Sequence, residues 1–472
     1  MTLYGFQETG ADFLAARNFA LLADEMGLGK TVQAITAANR RGFKRALVIA
    51  PHIGLVNWQR EIDEWADFPF SRIITNQNPF GIAPWELVNY DLFSIPAAAA
   101  KTLREQRYDL IILDECQALK EYTARRTKEI YGKGGIASRA GAVWLLSGTP
   151  APNHVGELYA HLKACFPAAL RTPKGHMPYD DFLHRYCKVK IGQHGLKVVG
   201  LKNMGELRRV LAPFALRRIM TEVLPDMPRL RFSRLTLDPK AAKLALDRDP
   251  ALASVEDEVY IALNAAIAKV EAERPGTTPD DRLIAAMEMI DGQPIALLRR
   301  LFGEALAPLV AETVDQELHA GLDKIIVFYH HKNVGAALES RLAEHDPLRM
   351  DGSTPRQRRH EIIDRFQSDP TAKVILAQLD VAHRVITLTA AAHVLFCEAS
   401  WTPSVNFQAA RRALRIGQKR PVLARFAVLA GSLHEYLMRT VVRKTALLAE
   451  LWDEEPEDLS NLVREGYATN AN

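Results

Sequence analysis

Short apolar runs alternate with amphipathic segments along most of this chain. In its first part, four apolar runs are separated by segments whose apolar positions follow helical spacing; the runs span residues 19–23, 46–50, 109–113 and 143–146. A continuous apolar run of this length is typical of a strand buried on both faces, and such strands form parallel sheets covered by helices. The pattern therefore predicts an α/β fold, with functional side chains just beyond the carboxyl ends of the strands.

A second series of apolar runs predicts a second parallel α/β sheet. Its members are residues 324–328, 374–376, 394–396 and 422–428. Between the two series, residues 241–272 have helical character, and residues 274–281 have the proline and glycine content of an exposed turn. We therefore expect a first lobe over residues 1–228, a helical linker or protrusion over 229–296 and a second lobe over 297–472.

Composition narrows the class of protein without identifying its chemistry. A chain of 472 residues with 48% hydrophobic and 25% charged residues suits a soluble globular protein of two or three domains. The net charge of +4 is too small to indicate nucleic-acid binding, which has to be argued from local patches. The four cysteines have no metal-binding spacing, and no secretion signal or membrane-spanning run is visible. We expect a cytoplasmic protein, of prokaryotic or phage-like type, with reduced thiols and no membrane partner.

The first apolar run leads into a segment with the features of a phosphate-binding loop. The segment reads Asp24-Glu25-Met26-Gly27-Leu28-Gly29-Lys30-Thr31, and a helix is predicted over residues 32–38. Gly27 and Gly29 let the backbone approach a phosphate, and the first N–H groups of the helix point towards the anion. Lys30 supplies a charge to the β- and γ-phosphates, and Thr31 a hydroxyl to Mg²⁺. Asp24 stands where the usual pattern has glycine, and the alternative is a glycine-rich turn before an ordinary helix.

Two further segments follow predicted strands and carry side chains of the kind that ATP hydrolysis requires. Asp114 and Glu115 end the third run, where one carboxylate can hold Mg²⁺ and the other can orient the attacking water. A solvated acidic turn is the alternative. Residues 147–150, Ser-Gly-Thr-Pro, form a tight hydroxyl-bearing turn after the fourth run.

In this order, residues 24–31, 114–117 and 147–150 resemble motifs I, II and III of helicase superfamily two, and the first resembles its Swi/Snf-type double-stranded-DNA translocases in particular. The resemblance implies two RecA-like doubly wound parallel-sheet lobes with helical protrusions. It implies that Gln7 reads adenine and that Gln117, at a position usually held by histidine, hydrogen-bonds across the cleft; Cys116 is interpreted as a packed residue. The ATP contacts that it implies are Gln7, Asp24, Gly27, Leu28, Gly29, Lys30, Thr31 and Gln117. Residues 216–218 also fit, without an assigned role.

The resemblance also implies contacts with the DNA backbone in both lobes. The residues at the matching positions are Pro51, His52, Asn89 and Tyr90 in the first lobe and His330, Lys332, Gly352, Ser353 and Thr354 in the second. Residues 328–332 and 351–354 most resemble the annealing-helicase branch. The histidine pair at 330–331 invites a metal interpretation, but adjacent strand residues point to opposite faces and no other ligands are nearby in the sequence. Phosphate contact is the better interpretation.

Residues 408–418 match motif VI throughout, and in that family its arginines reach across the cleft to the γ-phosphate. Arg412 and Arg415 are three residues apart, which predicts that they lie on one helical face; a solvated basic helix is the alternative. With Lys30, Asp114 and Glu115 they complete the predicted catalytic set. Motif V departs from the family, because Val385 replaces a glycine at which close backbone approach is expected. This departure puts the coupling of DNA contact to hydrolysis in doubt.

The sequence as a whole predicts an ATP- and Mg²⁺-dependent translocase on double-stranded or branched DNA, which remodels or anneals that DNA. One rival in the same class is a strand-separating DNA or RNA helicase, although no segment reads as a strand-splitting wedge. The rival from another class is a nucleotide-dependent DNA clamp that hydrolyses ATP weakly within a larger complex. The altered motif V is the feature that favours the clamp.

Overall fold

A computed structural model describes most of the chain in two compact units. The described residues are 2–79, 82–152, 154–173, 175–192, 195–237, 250–273, 275, 282, 286, 292–382, 387–400, 403–429, 434, 435 and 438. One unit runs up to Met227 and the other begins at Pro228. Across these residues we find no helix with both the length and the apolar character needed to cross a bilayer.

The first unit is built on a parallel sheet of seven strands. Its strands, with those of two small hairpins, are β1 (Phe19–Leu22), β2 (Ala46–Ala50), β3 (Ser71–Ile73), β4 (Trp85–Asn89), β5 (Leu110–Asp114), β6 (Ala142–Leu146), β7 (Arg171–Thr172), β8 (Gly175–His176), β9 (Cys187–Gly192), β10 (Gly195–Leu201) and β11 (Ala215–Leu216). The order across the sheet is β11-β1-β6-β5-β2-β4-β3, and the hairpins are β7–β8 and β9–β10. This order brings the strands of the three predicted motifs next to one another.

Helices cover both faces of this sheet, as the continuous apolar runs predict. They are Gly5–Ala15, Lys30–Arg41, Leu55–Trp65, Ala98–Glu105, Arg125–Tyr131, Tyr159–Cys165, Tyr179–Tyr186, Met204–Leu211 and Met220–Val223. Alternate residues of each central strand enter two separate hydrophobic clusters: Leu47 and Ile49 of β2 lie in one, and Val48 in the other. A strand buried in this way on both faces has no polar position until it ends, so its polar chemistry begins at its carboxyl end.

Strand register aligns those carboxyl ends. Leu22, the last residue of β1, is paired with Leu146 at the end of β6, and Leu146 is paired with Asp114 at the end of β5. On its other side Leu22 is paired with Leu216 of β11. The residues that follow these strands therefore emerge side by side, although they are far apart in sequence.

The second unit has a parallel sheet of six strands with its own core. The strands are β12 (Leu230–Leu237), β13 (Ile325–Tyr329), β14 (Leu348–Met350), β15 (Val374–Gln378), β16 (His393–Phe396) and β17 (Val422–Leu429). Their order is β12-β17-β16-β13-β15-β14. The helices are Pro250–Glu273, Gly292–His319, Lys332–Arg341, Arg356–Ser368, Leu379–Ala382 and Pro403–Ala410. The predicted fold class, two doubly wound parallel-sheet α/β domains, is confirmed.

Strand β12 of the second sheet lies where the sequence predicted a helix. Strand β12 lies within residues 229–296, for which the sequence predicted a helical linker, and for these eight residues the helical prediction is wrong. Its polar residues, such as Arg231 and Ser233, interrupt the apolar run, because β12 is an edge strand that pairs only with β17. The helix predicted over 241–272 is observed as Pro250–Glu273, and residues 241–249 lie outside the described ranges. The domain boundaries at residues 228 and 296 stay predictions.

Candidate active site

The phosphate-binding loop joins β1 to the helix Lys30–Arg41. Gly27 and Gly29 have φ angles of 92° and 73°, in the left-handed region that favours glycine. A side chain on Gly29 would also be blocked, since a Cβ there would lie 2.5 Å from Nε2 of Gln7. Both glycines are therefore required by the backbone, whatever the loop binds.

Gln7 is buried against this loop. Its Nε2 donates to the carbonyl oxygen of Leu28 at 3.3 Å, and its Oε1 accepts from the N–H of Tyr4 at 3.1 Å. The glutamine thus fixes the amino-terminal helix beside the loop. Its contact with adenine stays a prediction.

The ammonium group of Lys30 lies within the loop and close to the acidic pair. Its Nζ donates to the carbonyl oxygens of Asp24 at 2.7 Å and Glu25 at 3.2 Å. Burial lowers the pKa of Lys30, and the negative charges of Glu115, Asp24 and Asp114 oppose that shift. A lysine that shares its surroundings with two carboxylates is suited to a ligand that carries both phosphates and a cation.

Asp24 supports the loop through a buried ion pair. It has no exposed surface, and its Oδ1 accepts from Nε of Arg218 at 3.0 Å, while a terminal guanidinium nitrogen of Arg218 donates to Oδ2. Nε2 of Gln33 donates to Oδ2 at 3.2 Å and to the carbonyl of Leu28 at 2.9 Å. The carboxylate of Asp24 is thus used inside the protein, and the predicted ATP contact of Asp24 stays a prediction.

Arg217 supports the same loop from the neighbouring position. A terminal nitrogen of Arg217 donates to the carbonyls of Ala23 at 2.9 Å and Gly148 at 3.1 Å, which joins the phosphate loop to the Ser-Gly-Thr-Pro turn. The parallel pairing of β11 with β1 brings both arginines to this edge. Sequence reasoning gave Arg217 and Arg218 no role; the available signal was two consecutive arginines directly after a short apolar strand.

Asp114 is held rigidly at the end of β5. Its Oδ2 accepts from Nε1 of Trp58 at 2.9 Å, and its carbonyl accepts from the hydroxyl of Tyr90 at 2.9 Å. Burial and then the charge of Glu115 raise the pKa of the Asp114 carboxyl. A divalent cation beside it would favour the ionised form, so the surroundings fit the predicted Mg²⁺ ligand.

Glu115 is connected to the turn after β6 by a chain of hydrogen bonds. Nε2 of Gln117 donates to Oε2 of Glu115 at 2.8 Å, and Oε1 of Gln117 accepts from the Ser147 hydroxyl at 2.7 Å. The N–H of Thr149 donates to the same hydroxyl oxygen at 3.0 Å. Both ends of the Gln117 amide thus connect the two motifs, and the ATP contact predicted for Gln117 stays a prediction. Burial raises the pKa of the Cys116 thiol, in agreement with a packed residue.

The DNA contacts predicted for the first unit divide into exposed and buried residues. His52 is exposed and Pro51 half-buried at the start of the short helix His52–Gly54, where a phosphate can reach them. Asn89 uses its side-chain oxygen to cap the next turn. Tyr90 is buried and donates its hydroxyl to Asp114. The side chain of Tyr90 thus belongs to the acidic site, and the predicted DNA contact of this residue stays a prediction.

In the second unit, a buried carboxylate orients the histidine pair. Oε2 of Glu398 accepts from the N–H groups of His330 at 2.8 Å and His331 at 2.9 Å, and its Oε1 lies 2.6 Å from Nδ1 of His331. Space for this carboxylate depends on Gly303, where a Cβ would lie 2.4 Å from Oε1. Sequence reasoning missed Glu398, although a carboxylate just beyond a strand end was a usable signal. Lys332 is exposed at the start of its helix.

Gln378 holds the second predicted DNA segment beside the histidines. Its Nε2 donates to the carbonyl of His330 at 2.8 Å, and its Oε1 accepts from the N–H of Gly352 at 2.8 Å. The N–H of Ser353 donates to Asp351 at 2.8 Å, and that of Thr354 to the Asp351 carbonyl at 3.2 Å. Gly352 and Ser353 are exposed, and the N–H groups of residues 352–354 donate to Gln378 and Asp351. The contact of these residues with DNA stays a prediction.

Arg412 and Arg415 do not lie on one helical face, so this prediction is wrong. The helix Pro403–Ala410 ends before them, and turns follow up to Gly417, whose φ is 103°. Arg412 is buried, and Arg415 donates to the Thr387 hydroxyl at 2.8 Å. The spacing of three residues was compatible with a helix, but it does not reveal where the helix ends.

Gln418 fixes this turn to the segment around Thr389 and Ala391, which precedes it in the chain. Its Nε2 donates to three carbonyl oxygens, those of Thr389, Ala391 and Ala413, at 2.9–3.0 Å. Motif VI is therefore positioned by the residues that follow motif V. Val385, the departure in motif V, lies outside the described residues.

Comparison with known proteins agrees with this arrangement. The family model described as SNF2-related domain matches residues 6–246, and the model described as Helicase conserved C-terminal domain matches residues 309–417. The mouse protein "DNA annealing helicase and endonuclease ZRANB3" is 29% identical over 97% of this chain and 41% of its own length. The "SWI/SNF-related matrix-associated actin-dependent regulator of chromatin subfamily A-like protein 1" of Xenopus tropicalis is 29% identical over 95% of this chain and 45% of its own length.

Among solved structures, the "Sulfolobus solfataricus SWI2/SNF2 ATPase core in complex with dsDNA" matches 97% of this chain and 96% of that chain, with a TM-score of 0.43 and 22% identity. The chain spans less than half the length of both curated relatives. The first family model alone covers more than half of the chain, from the glutamine beside the phosphate loop to beyond the paired arginines. The chain therefore belongs to the SNF2 family of helicase-like ATP hydrolases.

Proposed function

We propose that this chain is a translocase that uses ATP hydrolysis to move along double-stranded DNA, and that it remodels or anneals branched DNA. The observation that carries the proposal is the hydrogen-bonded chain from Glu115 through Gln117 to Ser147. These hydrogen bonds connect the carboxylate proposed to act in hydrolysis to the turn after β6. A translocase needs such a connection between hydrolysis and conformational change. The relatives named as annealing helicases support the second part.

The first unit supplies the groups that ATP hydrolysis requires. Thr31 and Asp114 offer the hard oxygen ligands that Mg²⁺ prefers, and the bound ion would neutralise charge on the β- and γ-phosphates. Lys30 adds a positive charge at the helix start, where N–H groups also favour an anion. Glu115, oriented by Gln117, holds the attacking water. Arg412 and Arg415 are proposed to act on the γ-phosphate from the second unit.

The DNA-facing part of the proposal rests on exposed side chains. His52 and Lys332 are exposed next to strand ends, and Ser353 is exposed in its turn. Contacts of this kind position a phosphate backbone and carry little base information. Binding should therefore be insensitive to sequence, with a log–log salt slope of about −0.9 for each phosphate neutralised.

Displacement of a triplex-forming strand from duplex DNA tests translocation directly. The parent should displace the third strand only with hydrolysable ATP, whereas Lys30→Ala should bind duplex DNA without displacing it. Lys101→Ala, which changes an exposed lysine far from the loop in sequence, is the matched control and should behave as the parent. DNA binding with feeble turnover and no displacement would favour the clamp. Separation of the two duplex strands would favour a helicase.

A further inference from the structure

Four metal-binding side chains meet at the amino edge of the second sheet. Asp315 and His319 lie in the last turn of the helix Gly292–His319, which leads to the start of β13. Glu344 and His345 lie in the short helix Ala343–His345, which leads to the start of β14. Functional residues of the second unit follow the opposite, carboxyl ends of these strands. The cluster is therefore separate from the site described above.

The spacing of the donor atoms fits a single small cation. Oδ1 of Asp315 lies 2.8 Å from Nε2 of His345 and 3.3 Å from Nδ1 of His319, and Nε2 of His345 lies 3.3 Å from Oε1 of Glu344. All four donor atoms lie within 4.8 Å of one another. Metal–ligand bonds of about 2.0–2.2 Å at tetrahedral angles place neighbouring donors roughly 3.3 Å apart. Nδ1 of His319 also lies 2.9 Å from the carbonyl oxygen of Asp315. Small side-chain movements that turn this nitrogen away from the carbonyl would bring the four atoms onto one ion.

The sequence arrangement favours chelation. Asp315 and His319 are four residues apart on a helix, which places their side chains on the same face. Glu344 and His345 are consecutive in a single short turn that ends at Asp346, whose φ is 44°. Two different segments thus each contribute one imidazole and one carboxylate.

The charge of the cluster also fits a divalent ion. An imidazole binds a metal in its neutral form, so two carboxylates and two imidazole ligands offer a cation a charge of about −2. Among the residues that the structure describes, no lysine or arginine forms an ion pair with Asp315 or Glu344. The nearby arginine, Arg365, pairs instead with Asp346 at 2.8 Å. Imidazole and carboxylate together are a donor set typical of Zn²⁺.

We propose that Asp315, His319, Glu344 and His345 form a Zn²⁺-type site that fastens the end of the long helix to the turn before β14. The bound ion would close the chain between residues 319 and 344 at the edge away from the motor motifs. Its contribution is to the stability of the second unit, and ATP turnover does not depend on it.

Titration of the full chain with metal alone tests this site. After treatment with a chelator and without nucleotide, the parent should bind one equivalent of Zn²⁺ per chain, and Co²⁺ should give the visible absorption of a four-coordinate site. Zn²⁺ should also raise the Tm by several degrees, because it binds only the folded state. His319→Gln and His345→Gln should weaken binding by about 100-fold or more and abolish the Tm shift.

Two features keep the test decisive. His319 has a largely exposed side chain, so His319→Gln should fold normally, and its fold can be checked by circular dichroism. His184→Gln removes an exposed histidine from the first unit and should bind metal as the parent does. The proposal is overturned if the parent binds no metal, or if both His319→Gln and His345→Gln bind it with parental affinity.

Discussion

At the scale of single residues, the phosphate loop is shaped by side chains that lie far away in the sequence. Asp24 is fully buried, and the guanidinium of Arg218, which is only 12% exposed, neutralises it. Arg217 joins the same loop to the turn after β6. The loop therefore has two supports, its own glycines and a pair of arginines from the segment that leads to the second unit.

Removing Arg218 should weaken nucleotide binding as well as stability. Arg218→Ala leaves the Asp24 carboxylate buried without its cation, which typically costs about 3–5 kcal/mol of unfolding free energy. The Kd for a non-hydrolysable ATP analogue should rise together with the loss of stability. Arg209→Ala, on an exposed position nearby in the sequence, should change neither quantity.

A double-mutant cycle separates the ion pair from general damage. Asp24→Asn combined with Arg218→Leu should cost less than the sum of the two single changes, because the double variant has no unpaired buried charge. Strict additivity of the two single effects would show that the pair does not act as a unit.

Gln117 should affect the rate of hydrolysis and not the binding of ATP. Gln117→Leu removes the hydrogen bond that orients Glu115 and the one that Gln117 accepts from Ser147. The kcat on duplex DNA should therefore fall by about 10-fold or more while the KM for ATP changes little. Gln117→His should retain most of the rate, since an imidazole can donate to Glu115 and accept from Ser147. An increase in KM with unchanged kcat would assign Gln117 to nucleotide binding instead.

The sequence indicates candidate site residues where a motif is a short continuous segment. It does not indicate residues whose hydrogen-bond partners lie far away along the chain. Lys30, Thr31 and Asp114 belong to short segments whose chemistry is visible in the residues themselves. Arg218 and Glu398 gain their roles from neighbours about 70 to 190 positions away, which no local spacing encodes. Tyr90 shows the same limit, because the sequence did not indicate that its side chain is buried beside Asp114.

At the scale of helices and strands, burial on both faces explains what could be predicted. Central strands such as β2 and β5 are continuous apolar runs, and their positions follow from the sequence alone. Edge strand β12 was missed, because exposed or half-buried polar residues interrupt its apolar positions. The end of the helix Pro403–Ala410 was missed as well, since the turn that follows it contains no proline and reaches its glycine only at position 417.

One helix of the first unit should make stability depend on pH. His161, in Tyr159–Cys165, is buried and contacts the hydroxyl of Tyr131, and burial lowers its pKa from 6.5 to about 4. Between these values the unfolded chain binds a proton that the folded protein does not, so stability is lost as the pH falls from 6.5 towards 4. This difference corresponds to about 3 kcal/mol.

Urea unfolding at pH 7 and pH 4.5 measures this effect, and four of the six tryptophans lie in the first unit and report on it. His161→Gln should show a smaller loss of stability between the two pH values than the parent. His184→Gln, which changes an exposed histidine, should keep the parental difference. Equal pH dependence in all three proteins would exclude His161 as the source.

At the scale of the whole molecule, the predicted catalytic residues are divided between the two units. The first unit contains the phosphate-binding loop, the acidic pair Asp114 and Glu115, and the Ser-Gly-Thr-Pro turn. The second unit contains motif VI, in a turn that Gln418 fixes by hydrogen bonds. Arg412 and Arg415 are proposed to act on ATP bound by the first unit.

Arg415→Lys should therefore impair turnover severely, although it keeps the charge. A guanidinium can meet two γ-phosphate oxygens at once, whereas an ammonium cannot, and an arginine of this kind is worth about 10³–10⁵ in rate. Nucleotide affinity should change much less, because the first unit holds most of the ground-state contacts. Arg420→Lys, on an exposed position after the motif, is the control. Parental turnover by both Arg412→Ala and Arg415→Ala would show that these residues are structural.

The central claim is that ATP hydrolysis in this chain is driven by duplex DNA. Steady-state ATP turnover measured without nucleic acid, with duplex DNA and with single-stranded RNA tests it most directly, with Lys30→Ala as the inactive reference. Duplex DNA should raise kcat well above both other conditions, and Lys30→Ala should remain inactive in all three. Turnover that is equal with single-stranded RNA and with duplex DNA, or that does not respond to DNA at all, would contradict the account.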